Sequence, residues 1–123
     1  MIGYTTLGVS DMTQAKQFYT DLFASKQAKI VTDLGRIAFI STGRGQPMLA
    51  VCEPYDKEPA TSGNGTMIAF TADSKEDVDT LYARAIELGA TDEGAPGQRI
   101  ADRFYGAYVR DVDHNKLCFF VFG

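Results

Sequence analysis

The chain has 123 residues, 45% of them hydrophobic and 23% charged. That is enough to bury a core without disulfide or metal staples, and too apolar for a disordered segment. Twelve basic residues against sixteen acidic ones leave a net charge of −4 with the cations scattered. A nucleic-acid binder carries a basic face or stripe, so no nucleic-acid partner is expected. The acidic balance favours a cationic ligand over an anionic one, and it equally serves solubility.

Taken in chain order, residues 4–9 are short and β-rich. Ser10-Asp11 then offers a side-chain oxygen to cap a helix, with Gln14 three residues after Asp11 as in a capping box. The predicted helix covers 12–24, and Ala15, Phe18, Tyr19 and Leu22 recur on one apolar face. Three strands follow at 28–32, 36–41 and 47–52, with Gly35 and Gly43-Arg44-Gly45 as turns. Residues 54–65, with Pro54, Pro59, Gly63 and Gly65, read as a connecting loop.

The pattern then restarts. Residues 67–71 form a strand, and Asp73 is expected to cap a helix with Glu76 as its partner. Val78, Leu81, Tyr82, Ala85 and Leu88 make the apolar stripe, and Gly89 ends the helix. Residues 99–100, 106–110 and 116–122 are the remaining strands, the last two joined by the turn Asp111-Val112-Asp113-His114-Asn115. Residues 94–105 serve as a loop over a pocket or as an ordinary connection. A β-α-β-β-β order thus occurs twice, with Tyr19 matching Tyr82 and Asp11 matching Asp73. Repeats of this size bury one another's apolar faces. The expected organisation is one domain, 1–123, made of module 1 (about 1–53) and module 2 (about 66–123).

The longest apolar run, 117–122, is far too short to span a bilayer, so no membrane association is expected. The opening residues, Met1-Ile2-Gly3-Tyr4-Thr5, do not have the form of a secretory leader. Cys52 and Cys118, isolated in apolar strands, suit buried thiols in a reducing compartment. The expected location is cytoplasmic.

Two segments carry a resemblance. Leu7-Gly8-Val9-Ser10-Asp11-Met12 followed by Gln17-Phe18-Tyr19 resembles the opening strand, helix cap and paired aromatics of the vicinal oxygen chelate superfamily, which holds glyoxalases, bleomycin-resistance proteins and extradiol dioxygenases. Residues 105–117, around Arg110-Asp111-Val112-Asp113-His114-Asn115, resemble its closing hairpin, with Val112 where proline is common and His114 where glycine is common. The resemblance spans essentially the whole chain. It implies an α+β fold of two βαβββ modules forming a curved mixed sheet around a concave cleft. It implies reaction type only weakly, since members catalyse diverse chemistry or simply bind a drug.

In that superfamily a divalent metal takes His or Glu from four strands. The resemblance places those four positions on Tyr4, Ala50, Met67 and Cys118, none of them a histidine or carboxylate. The single histidine, His114, lies in a turn, where the left-handed conformation tolerates it. No metal or other cofactor is therefore expected, save for the narrow alternative of a zinc site built on Cys52 and Cys118.

If these four positions face inward, strand alternation turns Thr6, Cys52 and Phe120 inward with them. The lining is then apolar with a phenol, a hydroxyl and two thiols, suited to a moderately hydrophobic organic molecule. Arg36, Glu53, Tyr55, Arg103 and Tyr105 stand at the rim, with Arg103 beside Phe104-Tyr105 able to meet an anionic group. Two functions are open: a metal-free small-molecule binder, and a lyase or isomerase related to lactoylglutathione lyase, with Tyr4 as acid and Cys118 or Cys52 as nucleophile. A ferredoxin-like dimer is a further fold alternative. A homodimer is expected, because open sheets have edges to cover.

Overall fold

The computed structural model describes residues 1–123, which divide into two compact units, Met1–Ser62 and Gly63–Gly123. Each unit is a four-stranded mixed sheet with one helix against it.

In the first unit β1 (Tyr4–Gly8) leads to α1 (Met12–Leu22), followed by β2 (Lys29–Asp33), β3 (Ile37–Ser41) and β4 (Met48–Cys52). The sheet order is β1-β4-β3-β2. The first pair is parallel and the others antiparallel. Asp11 caps α1 by accepting from the Gln14 amide at 3.0 Å. The helix stops two residues before its expected end, at Leu22. A short 3-10 turn follows, closed by Gln27 in the left-handed region. The face of α1 carrying Ala15, Phe18, Tyr19 and Leu22 is buried, as are Leu7, Ala38, Ile40, Leu49 and Val51. Register puts these strand residues on one face of the sheet, the one that α1 covers. Lys16 of α1 ties that side to Asp33 of β2 at 2.8 Å. The lysine ammonium holds the Asp33 carboxyl below its usual range.

The second unit repeats the design. Its elements are β5 (Ile68–Thr71), α2 (Lys75–Glu87), β6 (Thr91–Ile100), β7 (Phe104–Arg110) and β8 (Lys116–Phe122), in sheet order β5-β8-β7-β6. Val78, Leu81 and Ala85 of α2 are buried against the face of the sheet that bears Ala107, Val109, Leu117 and Phe119.

Two sequence expectations need correction here. The cap of α2 is Ser74, one residue later than expected: its hydroxyl accepts from the Asp77 amide at 3.0 Å, while the Asp77 carboxylate reaches back to the Asp73 amide at 2.8 Å. Asp73 and Glu76 are therefore not the capping pair. Also, residues 94–100 are not a loop. They belong to β6, which runs ten residues and is bulged at three places, so that its glycine-rich middle does not alternate like a regular strand.

The closing turn is held by Asp111 and Asn115, both buried. Asp111 Oδ1 accepts from the amides of Asp113 and Asn115, each at 2.9 Å, and Asn115 Nδ2 donates to Asp111 Oδ2 at 3.1 Å. His114 takes the left-handed conformation, at φ 66°, and stays exposed. No helix is long and apolar enough to cross a membrane.

Candidate functional site

Each sheet has a face that its own helix does not cover. On the first sheet, register places Tyr4, Thr6, Met48, Ala50, Cys52, Ile37 and Phe39 there. Four expected site residues, Tyr4, Thr6, Ala50 and Cys52, thus share one face. Tyr4 is half exposed, its ring edge-on to Phe39 with centroids 4.9 Å apart. Thr6 is exposed, Cys52 half-buried, and Ala50 wholly covered between its neighbours. The segment after β4 folds back over the end of this face: a side chain at Gly8 would stand 3.3 Å from the Ala60 methyl. Arg36 anchors the start of that segment by donating to the Glu53 carbonyl at 2.8 Å, and its guanidinium lies over the Tyr55 ring.

On the second sheet, the open face holds Cys118 and Phe120 on β8, opposite Tyr108 and Gly106 on β7. Met67, just before β5, is exposed. Lys116 and Phe122 extend the β8 row, and Phe104 and Arg110 extend the β7 row. Phe104 stacks on Phe120 with centroids 5.2 Å apart and planes 5° apart, and Phe122 stands edge-on to both. This stack exists because Gly106 has no side chain: a Cβ there would meet the Phe104 ring at 2.7 Å. Gly94 plays the same part for Tyr108, whose ring lies 2.9 Å from where its Cβ would be.

Arg99 folds back over this glycine-rich stretch. It donates to the Ala95 carbonyl, and its guanidinium carbon sits 5.4 Å from the Tyr108 ring centroid. The Lys116 ammonium is also 5.4 Å from that centroid. Cys118 lies beside them but is fully buried. Burial pushes its thiol up to about 11, against the smaller opposing effects of the Tyr108 hydroxyl and the Arg99 and Lys116 charges. A thiol so placed is protonated near neutrality and a poor nucleophile.

One rim assignment comes out differently. Tyr105 points away from this face: its hydroxyl donates to Asp79 Oδ1 on α2 at 2.7 Å, and that carboxylate raises the phenol above its ordinary range. Arg103 is exposed in the turn between β6 and β7, where it lines a shallow groove of about 590 Å³ with Ile100, Asp102, Phe104, Phe122 and Gly123. Arg99, Tyr108, Lys116 and Phe122 are absent from the expected site, and Phe104 enters it only as a neighbour of Arg103. Counting by twos from Cys118 finds Lys116 and Phe122, and hairpin pairing then finds Tyr108 and Phe104. Arg99 had no such signal, because the bulges of β6 break the alternation.

Tyr4, Ala50, Met67 and Cys118, where the resemblance places metal ligands, carry a phenol, a methyl group, a thioether and a buried thiol of raised pKa. This donor set does not fit a divalent ion that wants oxygen or imidazole ligands. Within neither unit do three His, Cys, Asp or Glu side chains converge as metal ligands.

A profile of the glyoxalase/bleomycin resistance protein/dioxygenase superfamily matches residues 1–119. A glyoxalase/bleomycin resistance protein from Albidiferax ferrireducens has a similar structure, with 33% identity and a TM-score of 0.84, covering 98% of this chain and 97% of that one. A lactoylglutathione lyase from Agrobacterium tumefaciens shares 27% identity with a TM-score of 0.72, covering 98% of this chain and 92% of that one. A family enzyme from Burkholderia phytofirmans, at 22% identity and a TM-score of 0.79 over 96% and 95% of the two chains, shares the fold. No curated protein matches the sequence. The chain belongs to the glyoxalase/bleomycin resistance protein/dioxygenase superfamily.

Proposed function

We propose that this protein binds a small, moderately hydrophobic organic molecule without a metal or other cofactor, using the open faces of its sheets. The observation that carries the reading is the open face of the second sheet. Phe104, Phe120 and Phe122 present a stacked aromatic surface there, with a few polar groups, Tyr108, Arg99 and Lys116, at its other end. Small-molecule sites combine apolar lining with a small number of orienting polar groups in this way. Phe122, 76% exposed, continues the Phe104–Phe120 stack to the surface, and contiguous exposed apolar surface marks a contact site.

The test is elemental analysis together with native mass spectrometry on protein purified without a metal-affinity tag. The expected result is no stoichiometric metal, with an organic adduct on the chain. One metal per chain would overturn the reading.

The second reading is a lyase or isomerase, favoured by the likeness to the Agrobacterium lactoylglutathione lyase. Turnover of the hemithioacetal of methylglyoxal and glutathione would establish it. The raised thiol of Cys118 argues against that residue as its nucleophile.

We further propose a homodimer in the cytoplasm. The edge strand β2 is exposed throughout, with Ile30, Val31 and the nearby Leu34 presenting apolar side chains. Such an edge is normally covered. Both cysteines are free thiols, as a reducing compartment keeps them. Sedimentation at micromolar concentration checks the dimer, and a monomer would refute it.

A further inference from the structure

Net charge and local charge disagree on the second sheet. The chain as a whole is at −4, but the end of the open face around Tyr108 gathers Arg99, Arg110 and Lys116, with Glu93 as the carboxylate that Arg110 and Lys116 meet. Glu93 is already engaged: Arg110 Nε donates to it, and that contact holds its carboxyl below the usual range, with Lys116 adding a smaller pull. Arg99 has no carboxylate partner. Its protein contacts are the Ala95 carbonyl and the Tyr108 ring. At the distances of a bound ligand the nearby charges decide, because exposed charges beyond about 10 Å are screened at moderate salt.

The face is graded along its strands. The β7–β8 register runs Arg110–Lys116, Tyr108–Cys118, Gly106–Phe120, Phe104–Phe122. Successive pairs on one face are about 7 Å apart. Counted from Tyr108, over whose ring the Arg99 and Lys116 head groups lie, the aromatic stack is roughly one to two such steps away, the length of a small ring system with a charged substituent.

We propose that this face takes an organic anion with a flat apolar body, its charged group held by Arg99 and Lys116 beside Tyr108 and its body laid over Phe104, Phe120 and Phe122. The inference rests on the small-molecule binding reading above and names the class of ligand. Arg99 is the principal determinant of charge, since Lys116 is shared with Glu93. Tyr108 serves as the platform that keeps both cations over the sheet, each within cation–π range.

A matched pair of probes tests it: 1-anilinonaphthalene-8-sulfonate, and the uncharged N-phenyl-1-naphthylamine with the same aromatic body. The anionic probe is expected to bind about tenfold more tightly, the scale of one charge-assisted contact. Raising salt should weaken the anionic probe only. The double variant Arg99→Gln/Lys116→Gln should bring the two probes to parity without weakening the neutral one. Arg44→Gln, in the turn between β3 and β4, should change neither. Near-UV circular dichroism confirms that each variant keeps its fold. Equal affinities in the native protein would overturn the anion assignment and leave small-molecule binding standing. An anionic preference that survives the double variant would place the determinant elsewhere and equally overturn it. Binding of neither probe would remove this face as a ligand site altogether.

Discussion

Tyr105 Oη donates to Asp79 Oδ1 at 2.7 Å, fastening β7 to α2 from the covered side of the second sheet. A phenol whose deprotonated form would face a carboxylate resists ionising, and its pKa is raised. A group with a raised folded-state value contributes stability that is complete below its unfolded pKa near 10. That contribution fades as pH climbs through the folded value. Tyr105→Phe is therefore expected to remove a late-titrating phenol from the absorbance curve and to flatten the loss of stability above pH 10. Ligand affinity near neutrality should be untouched, because the residue lies on the far side from the aromatic stack.

Alkylation should separate the two cysteines. Cys52 is half-buried at the end of β4, whereas Cys118 is fully covered and pushed up to about 11. Iodoacetamide at pH 8 is expected to label Cys52 in the native protein and Cys118 only after unfolding, as read by peptide mass spectrometry. Rapid native labelling of Cys118 would show that the thiol is more accessible than its packing implies, and would revive it as a nucleophile.

The helix cap gives a sharp discrimination. Ser74→Ala should destabilise by about 1 kcal/mol in urea unfolding, the usual cost of losing an N-cap oxygen. Glu76→Gln, at the position expected from the sequence to share in the cap, should cost far less. The reverse order would place the cap one residue earlier.

Phe119 and Phe122 lie on the same strand but on different faces. Phe119 is fully buried toward α2, and Phe119→Ala is expected to cost about 3–5 kcal/mol. Phe122→Ala, which removes only edge-on contacts at an exposed position, should cost about 1 kcal/mol while weakening the neutral aromatic probe. Together the two variants decide whether the β8 aromatics divide between core and ligand surface.

Glu93 offers a test at low pH. Arg110 holds its carboxyl below the ordinary value, so its contribution is present above the unfolded pKa and is lost as pH falls through the folded one. Glu93→Gln should reduce acid sensitivity. It should also raise affinity for the anionic probe, because it frees the Arg110 Nε–H and removes a negative charge beside the cations.

The repeated βαβββ order was legible because its signals are local and mutually consistent: two apolar helix faces, a cap at the start of α1 and within one residue of the start of α2, and turns rich in glycine. The closing hairpin was legible because Asp111 and Asn115 are the residue types that satisfy a tight turn's amides. The open face was legible only where strands alternate regularly. That rule brought Tyr4, Thr6, Ala50 and Cys52 together on one sheet and Cys118 and Phe120 on the other. It failed in β6, where three bulges displace the pattern and a back-folded Arg99 gives no periodic sign. Tyr105 was misread for another reason: its placement at a strand start suggested a rim, while its parity with Val121 and Ala107 turns it to the helix.

The open face of the second sheet owes its shape to residues that contribute no side chain to it. Gly94 and Gly106 leave the hollows in which Tyr108 and Phe104 lie flat. A single added methyl at either would tip a ring and re-aim the surface above it, with every contact residue unchanged. Relatives could thus acquire different ligand preferences through glycine substitutions alone, and a comparison confined to contact side chains would find such proteins identical at the site.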